Sequence, residues 1–540
     1  MDRSRSGHSD TFAEDNLPPR ALWPVLVWSL PELHYPHRLN CAASLVDDHV
    51  EAGAGDRIAL RHPAGAWTYR ELLAASNRIA HVLTDNLGVV PGNRVLLRGP
   101  NSPMMAACWI AVLKAGGICV TTMPLLRRRE LGAICDKAEI RLALTDERMA
   151  DDIENVVDSG ALRSVVRFGS GSTDSIDSRM RSKPPSFTNA DTAADDVALI
   201  AFTSGTTGVP KGTMHFHRDV LAICDCFPKH ILRPERDDIF CGSPPLAFTY
   251  GLGGILLFPL RIGATSLLLE DASPPALLEA IAHHRATICF TAPTAYRAMA
   301  PLTGQHDLSS LRKCVSAGET LPRATFELWK DHTGIRIIDG IGSTELLHIF
   351  ISAPENEIRP GSTGRVVPGY EACTLDDDGR PLPPGEIGRL AIRGPTGCRY
   401  LADEERQRAY VHDGWNLTGD AYVMDRDGFF WYQARTDDMI ISSGYNIAGP
   451  EVENMLLEHA SVQECAVVGL PDEQRGRIVA AFVVLRPGFR ASDDLARQLQ
   501  DHVKAGIAPY KYPRRIEFVE RLPRTQTGKL QRFVLREDHP

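Results

Sequence analysis

The stretch Val197-Ala-Leu-Ile-Ala-Phe-Thr-Ser-Gly-Thr-Thr-Gly-Val-Pro-Lys-Gly212 decides how this chain is read. Its first six residues are a short apolar run with the length and β-branched content of a buried strand. The next ten hold three glycines, four hydroxyl residues and one lysine. That composition suits a phosphate cradle: glycines let backbone N–H groups approach an anion, hydroxyls donate further bonds, and Lys211 supplies charge. The GxxxxGK[ST] spacing of a Walker A loop is missing. The competing reading is a plain Ser/Gly surface loop.

Outward from this loop, strand-like and helix-like runs alternate over most of the chain, which predicts an α/β fold with parallel or mixed sheets. Upstream, residues 169–196 are rich in Ser, Asp, Thr and Pro and read as a loop. Downstream, an aromatic strand (Gly428-Phe-Phe-Trp-Tyr432) gives way near 433–439 to a different texture. A helix from about Pro450, strands near 463–469 and 477–486, a helix near 492–504 and a strand near 515–519 make an α+β unit of domain size. The expected division is therefore a large domain over 1–434 and a small one over 435–540.

Composition sets outer limits. The 540 residues carry 59 Lys+Arg against 68 Asp+Glu, a net charge of -9, which argues against a dedicated nucleic-acid binder. Ile239–Leu260 has no formal charge over 22 residues, but three prolines and four glycines make it a buried core segment rather than a membrane span. The N-terminus has no signal-peptide pattern. Twelve scattered cysteines without a CxxC pair read as reduced, mostly buried thiols, with Cys224 and Cys226 on a helix, in a cytoplasmic protein.

The loop and five later segments, in order, resemble the adenylate-forming superfamily of acyl- and aryl-CoA synthetases, peptide-synthetase adenylation domains and luciferases. Gly342-Ser-Thr-Glu345 resembles its G-x-T-E segment, Thr418-Gly-Asp420 its TGD, and Arg435-Thr-Asp-Asp438 its hinge. Ser442-Ser-Gly-Tyr-Asn-Ile447 resembles its CoA-side loop and Pro523-Arg-Thr-Gln-Thr-Gly-Lys529 its C-terminal lysine motif. The likeness runs from about residue 40 onward.

The resemblance implies an enzyme with two half-reactions and a large domain followed by a small mobile one. A carboxylate attacks the α-phosphate of ATP, giving an acyl-adenylate and pyrophosphate; a thiol then takes the acyl group and releases AMP. It implies that Thr203, Ser204, Gly205, Thr206, Thr207, Gly208 and Lys211 hold the phosphates. Gly318, Glu319, Asp339, Gly340, Ile341, Gly342 and Ser343 line the nucleotide. Thr344 would serve the α-phosphate and Glu345 Mg2+, a hard cation that wants carboxylate and phosphate oxygens. Asp420 would take the ribose hydroxyls and Arg435 the ribose or phosphate side. Lys529 would bridge the two reacting anions; only 10 of the 59 basic residues are lysine, so one inside a matching motif is informative. Asp437 would be the hinge, with Ser442, Ser443, Gly444 and Tyr445 on the CoA side. The sequence departs from the usual pattern at Ile341, where an aromatic residue is common, at Ala434, where the hinge motif has glycine, and at Gly449-Pro450, where the proline is shifted by one.

The acyl pocket would be lined by Phe248, Tyr250, Gly251, Ala317, Gly342 and His348. The two aromatic rings suit a flat acid better than a long fatty chain. His348 either touches the substrate or is a core histidine on an apolar helix (Leu346-Leu-His-Ile-Phe). The texture around 340–350 is similar to benzoate-CoA ligases. Pro18–Arg20, Arg38–Cys41, Pro91–Asn101 and Tyr432–Arg435 are similar to 2-aminobenzoate-CoA ligases. Anthranilate is the expected acid, with benzoate and hydroxybenzoates as alternatives. CoA is the expected thiol, with a separate carrier protein as runner-up and a catalytically inactive nucleotide sensor as a third reading. A homodimer, or a downstream acyl-transferring enzyme, is compatible with this reading. The stretch Lys504–Arg532 carries eight basic residues against two acidic ones and reads as a face for the phosphates of CoA or for an acidic carrier surface.

Overall fold

The computed structural model describes residues 6–157, 159–203, 210–435, 438–442, 445–472, 476–524 and 530–537. Three sheets make up the large lobe. A six-stranded sheet runs in the order Ser164–Phe168, Leu142–Asp146, Arg94–Arg98, Ile118–Thr122, Val197–Thr203, Lys211–Phe216; all neighbours are parallel except the last pair. A nine-stranded sheet has six parallel central strands, from Ile337–Gly342 through Lys313–Ser316, Ile288–Thr291, Ile239–Gly242 and Thr265–Leu267 to Ile58–His62. Antiparallel strands close both its edges. The third sheet is antiparallel and includes Ile387–Arg393, Trp415–Met424 and Phe430–Arg435.

The expected buried strand is observed as Val197–Thr203, with five consecutive buried residues. Its burial on both faces explains why the sequence shows a continuous apolar run rather than alternation. Helices that pack between sheets are buried on every side: in Pro103–Lys114 all residues but Met104 are buried, and in His217–Phe227 all but Arg218, so the few polar groups they carry, such as Lys114 and Asp219, are buried as well. Ser102 caps the first of these, and a Thr68–Glu71 capping box opens Tyr69–His81. The uncharged stretch from Ile239 becomes a strand to Gly242 and, from Thr249 to Ile262, successive helical turns buried in the core. Among the described residues no helix is long and apolar enough to cross a membrane.

One expectation needs correction. Residues 169–196 are not loop throughout: Ile176–Arg179 is a helical turn capped by Ser175, and Met180–Ser182 continues it as 3-10 helix. Ile176 is fully buried, and Met180 and Phe187 pack against the same core, so a few apolar anchors order this part of a polar stretch.

From Ile440 the chain builds separate apolar clusters of its own. Helix Gly449–Glu458 and helix Asp493–Gly506 cover a sheet of Val462–Asp472, Gly476–Leu485 and Arg515–Phe518. These elements fall within a few residues of those read from the sequence, because the small unit alternates cleanly with one face buried. All twelve cysteines are free, and ten are buried.

Candidate active site

The strands on either side of the loop, Val197–Thr203 and Lys211–Phe216, pair antiparallel, and the pairing runs to the last described residue of the first. Thr203 pairs with Lys211 across the loop's base. Ser204, Gly205, Thr206, Thr207 and Gly208 lie outside the described residues. Lys211 is partly buried, and burial together with Arg406 and Arg435 lowers its pKa, while Glu345 and Asp403 act the other way. The cation at the base of the loop thus shares one neighbourhood with the G-x-T-E glutamate and with Arg435.

Strand Ile337–Gly342 ends at a tight turn. A Cβ on Gly342 would lie 2.7 Å from the His348 carbonyl oxygen, so only glycine allows the chain to fold back there. Leu347 closes the turn in the left-handed region at φ 72°, a strained position for a branched residue that the buried surroundings hold in place. Two contacts fix the residues between. His215 Nε2 meets the Thr344 carbonyl at 2.8 Å, and the Tyr400 hydroxyl donates to Glu345 Oε1 at 2.7 Å. Ser343 Oγ accepts from the Leu346 N–H at 3.2 Å.

Asp420 and Arg435 face each other in register across the third sheet, and Arg435 Nη1 lies 3.2 Å from Asp420 Oδ1 and from the Thr418 carbonyl. Gly419 between them has φ 76°, and a Cβ there would come within 2.8 Å of the guanidinium. Where the sequence expects the nucleotide, Gly318 turns at φ 88° with open space beside it, after the strand Lys313–Ser316. Burial raises the pKa of Glu319, against the pull of Arg524, whose Nη1 sits 3.0 Å from Glu319 Oε1. Burial also raises that of Asp339 well above the carboxylate range, opposed by Ser316 and the Gly340 N–H. Gly340 is buried and Ile341 packs against the main core.

The expected acyl side is aromatic. The Tyr250 hydroxyl donates to the Thr291 and Val315 carbonyls at 3.3 and 3.1 Å, tying its ring to the sheet beside buried Ala317 and Gly251. Phe248 is partly exposed before the short helix Thr249–Gly251. His348 is not on a helix: it sits in the turn before strand Ile349–Ser352, because the left-handed Leu347 breaks any helical continuation. It is a core residue, 2% exposed, packed edge-on against Phe258 at 4.5 Å and near Tyr250 and Phe227. Its Nε2 is 3.3 Å from the Tyr250 carbonyl, and burial lowers its pKa to about 3.

Ser442 is buried and pairs with Tyr445 in a two-stranded ladder. Ser443, Gly444, Asp437 and Lys529 lie outside the described residues. The segment carrying Lys529 is closed at its base, where Arg524 bridges to Leu530, and Arg524 also pairs with Glu464 at 3.0 Å. Arg524 therefore links Glu319 of the large lobe to Glu464 on the small lobe's own sheet.

The expected basic face is corrected. Lys504, Lys511, Arg515, Arg524 and Arg532 are each engaged by carboxylates, namely Asp501, Glu451, Glu517, Glu319 with Glu464, and Glu453. Their partners lie mostly outside 504–532, so five of the eight basic residues are paired across the fold rather than left as a free face.

Sequence reading missed His215, Tyr400 and Arg524. Alternation along Lys211–Phe216 places Lys211, Thr213 and His215 on one strand face and was a usable signal for His215. Tyr400 and Arg524 sit 55 and 205 residues from their partners and carry no local mark.

Lys211, which follows the Ser/Thr/Gly loop, a Thr–Glu turn and an Asp–Arg pair are brought into one neighbourhood from three sheets, as a nucleotide-activating enzyme requires. The chain belongs to the AMP-binding enzyme family: that description matches residues 46–400, and AMP-binding enzyme C-terminal domain matches 451–529. Among its relatives, the benzoate–CoA ligase of Thauera aromatica is 35% identical over 512 residues, covering 94% of this chain and 97% of the relative. The crystal structure of the anthranilate CoA ligase AuaEII in complex with anthranoyl-AMP superposes with a TM-score of 0.88 at 36% identity, covering 93% of this chain and 98% of the other. A benzoate CoA ligase from Burkholderia xenovorans LB400 gives 0.84 at 34%, covering 92% and 100%.

Proposed function

We propose that this chain is an ATP-dependent aryl-CoA ligase acting in the cytoplasm, with 2-aminobenzoate as its preferred acid. It would form aroyl-AMP and pyrophosphate, then transfer the acyl group to CoA. The observation that carries this reading is the shared neighbourhood of Lys211, Glu345 and Arg435, with Thr344–Glu345 held by His215 and Tyr400 and Arg435 paired with Asp420.

Adenylation brings a carboxylate against a phosphate, so the site must offset negative charge. Thr203 and the Ser204–Gly208 loop would cradle the phosphates, with Lys211 as a fixed cation and Thr344 on the α-phosphate. Arg435 and Asp420 would take the ribose side; Gly318–Glu319 and Asp339–Ser343 would flank the base. Lys529 would reach the reacting oxygens from a segment that Arg524 holds near Glu319. Glu345 fits a Mg2+ held mainly by phosphate oxygens: Tyr400 donates to one of its oxygens and so orients the other. A cation bound there would neutralise charge on the phosphates. Among the described residues no three side chains form a metal cage of their own, which agrees with a cation that arrives with the nucleotide.

The division would fall at 434/435, where the last strand of the third sheet runs out, with Asp437 as hinge. Rotation there would withdraw Lys529 and bring Ser442–Tyr445 to the adenylate, Gly444 leaving room for the thiol arm. Phe248 and Tyr250 would close on the ring, with Gly251, Ala317 and Gly342 as its walls. The anthranoyl-AMP complex of a similar chain supports an ortho-amino acid. Benzoate stands as the second reading, supported by the benzoate–CoA ligases among the similar chains; His348 engages the Tyr250 carbonyl through Nε2 and keeps its Nδ1 without a partner among the described residues.

The test is ATP-dependent product formation with a panel of aryl acids, with and without CoA, read by mass. Aroyl-CoA with 2-aminobenzoate at the highest kcat/KM is expected. Equal use of benzoate would remove the substrate assignment; transfer to a carrier protein but not CoA would remove the ligase assignment; no adenylate from any acid would leave a nucleotide sensor.

A further inference from the structure

Behind the Thr344–Glu345 turn lies a fully buried polar group that the proposed reaction does not use. His215, Asp219 and Arg399 are all 0% exposed. Arg399 Nη1 donates to Asp219 Oδ2 at 2.8 Å, and its guanidinium lies over the Phe216 ring at 4.1 Å. The same carboxylate oxygen accepts the Phe216 N–H at 3.0 Å and stands 3.9 Å from His215 Nδ1. His215 Nε2 then meets the Thr344 carbonyl at 2.8 Å.

The proton position on His215 follows from these contacts. A carbonyl oxygen only accepts, so Nε2 must carry the hydrogen. Nδ1 makes no hydrogen bond among the described residues and keeps its lone pair. Arg399 neutralises Asp219, so the carboxylate does not draw a second proton onto the ring. Burial, ahead of every other influence, holds the group at about 4, and the ring is neutral at working pH.

The segment around Arg399 reinforces the arrangement. The Met214 N–H donates to the Arg399 carbonyl and the Leu401 N–H to the Gly212 carbonyl, each at 2.8 Å, and Thr213 bridges Tyr400. Two adjacent residues therefore divide the work. Arg399 serves Asp219 beside His215, which grips Thr344; Tyr400 grips Glu345 directly. Lys211, four residues before His215 on the same face of the same strand, carries the loop's cation. The Thr344–Glu345 peptide cannot rotate without breaking one of these grips, and rotation would carry both side chains off their targets.

We infer that His215 is a positioning residue for adenylation: through the Thr344 carbonyl it fixes the turn that presents Thr344 to phosphate and Glu345 to the cation, in register with Lys211. This rests on the reading of that turn given above. It predicts that His215 matters to the Mg2+-dependent half-reaction and little to thioester formation.

The experiment uses the full chain with His215→Met, which removes the donor, His215→Asn, whose amide is too short to reach Thr344, and His215→Gln, whose amide reaches about as far as Nε2. ATP affinity is measured by calorimetry with and without Mg2+. Adenylation and thioester formation from supplied aroyl-adenylate are measured separately, and circular dichroism confirms folding. In His215→Met, or in His215→Asn should the first not fold, we expect Mg2+ to lose its tightening effect on ATP and adenylation kcat to fall about tenfold or more. Thioester formation should stay within about twofold, and His215→Gln should recover most of the adenylation rate. Unaltered Mg2+ response and kcat in His215→Met or His215→Asn would overturn the inference. Equal loss of both half-reactions in all three variants would do the same, because the ring would then only fill the core. A parent chain that binds no ATP would overturn the underlying reading and the inference with it; a parent that binds ATP while the variants match it sinks the inference alone.

Discussion

Acidification is the perturbation whose cost can be worked most directly from the structure. His215, His217 and His348 are each buried and neutral, with burial lowering their pKa values to about 4, 3 and 3. In the unfolded chain each reverts to about 6.5. The sign follows: below about pH 6.5 the unfolded state binds protons that the folded state refuses, so stability falls as pH falls, down to the folded values. Between pH 7.5 and 5.5 each such histidine costs about 1.4 kcal/mol, and three cost about 4 kcal/mol. Buried carboxyls such as Asp339 act in the opposite sense, so a difference measurement is the sound one. His217 accepts the Cys41 N–H on Nδ1 at 3.2 Å, and Asn can supply an oxygen there without titrating. Urea unfolding of the parent and of His217→Asn, followed from pH 7.5 to 5.5, should give curves that converge by about 1.4 kcal/mol. Parallel curves would refute the claim that this ring is held neutral by burial.

Three further outcomes are expected. Arg399→Met strands the Asp219 carboxylate in the core and should cost about 3–5 kcal/mol, whereas Arg399→Met with Asp219→Asn should regain most of it; strictly additive urea midpoints would deny the coupling. Lys529→Ala should abolish adenylation yet spare thioester formation from supplied aroyl-adenylate, measured by product mass, and equal loss of both would contradict the division of labour. Gly444→Trp should do the reverse, leaving pyrophosphate exchange intact while CoA transfer stops; a collapse of exchange would remove Gly444 from the thiol path.

What could be read from the sequence was local. The strand Val197–Thr203 announced itself by an unbroken apolar run, and the small lobe's helices and strands by alternation against a single buried face. The site motifs were legible because each is a short contiguous run. What escaped were relations between runs. His348 read as helical because Leu346–Phe350 is apolar, but the left-handed Leu347 sends the chain into a strand. The basic stretch 504–532 read as a free cationic face because Glu319, Glu451, Glu453 and Glu464 are distant in sequence. Tyr400, which bonds Glu345, and Arg399, which pairs with Asp219, sit in a run with no local mark, Gly397-Cys-Arg-Tyr-Leu401. Their importance comes only from what folding sets beside them.

The strand Phe430–Arg435 ends at the residue paired with Asp420, and the next strand begins at Ile440. Between those anchors the chain can stretch at most roughly 18 Å. A tether that short keeps the small lobe at an effective concentration of about millimolar around the nucleotide site, whatever the dilution of the enzyme. The two lobes therefore behave as one reagent permanently dosed with the other. A small lobe supplied as a separate chain would have to approach that concentration before it could replace the one attached.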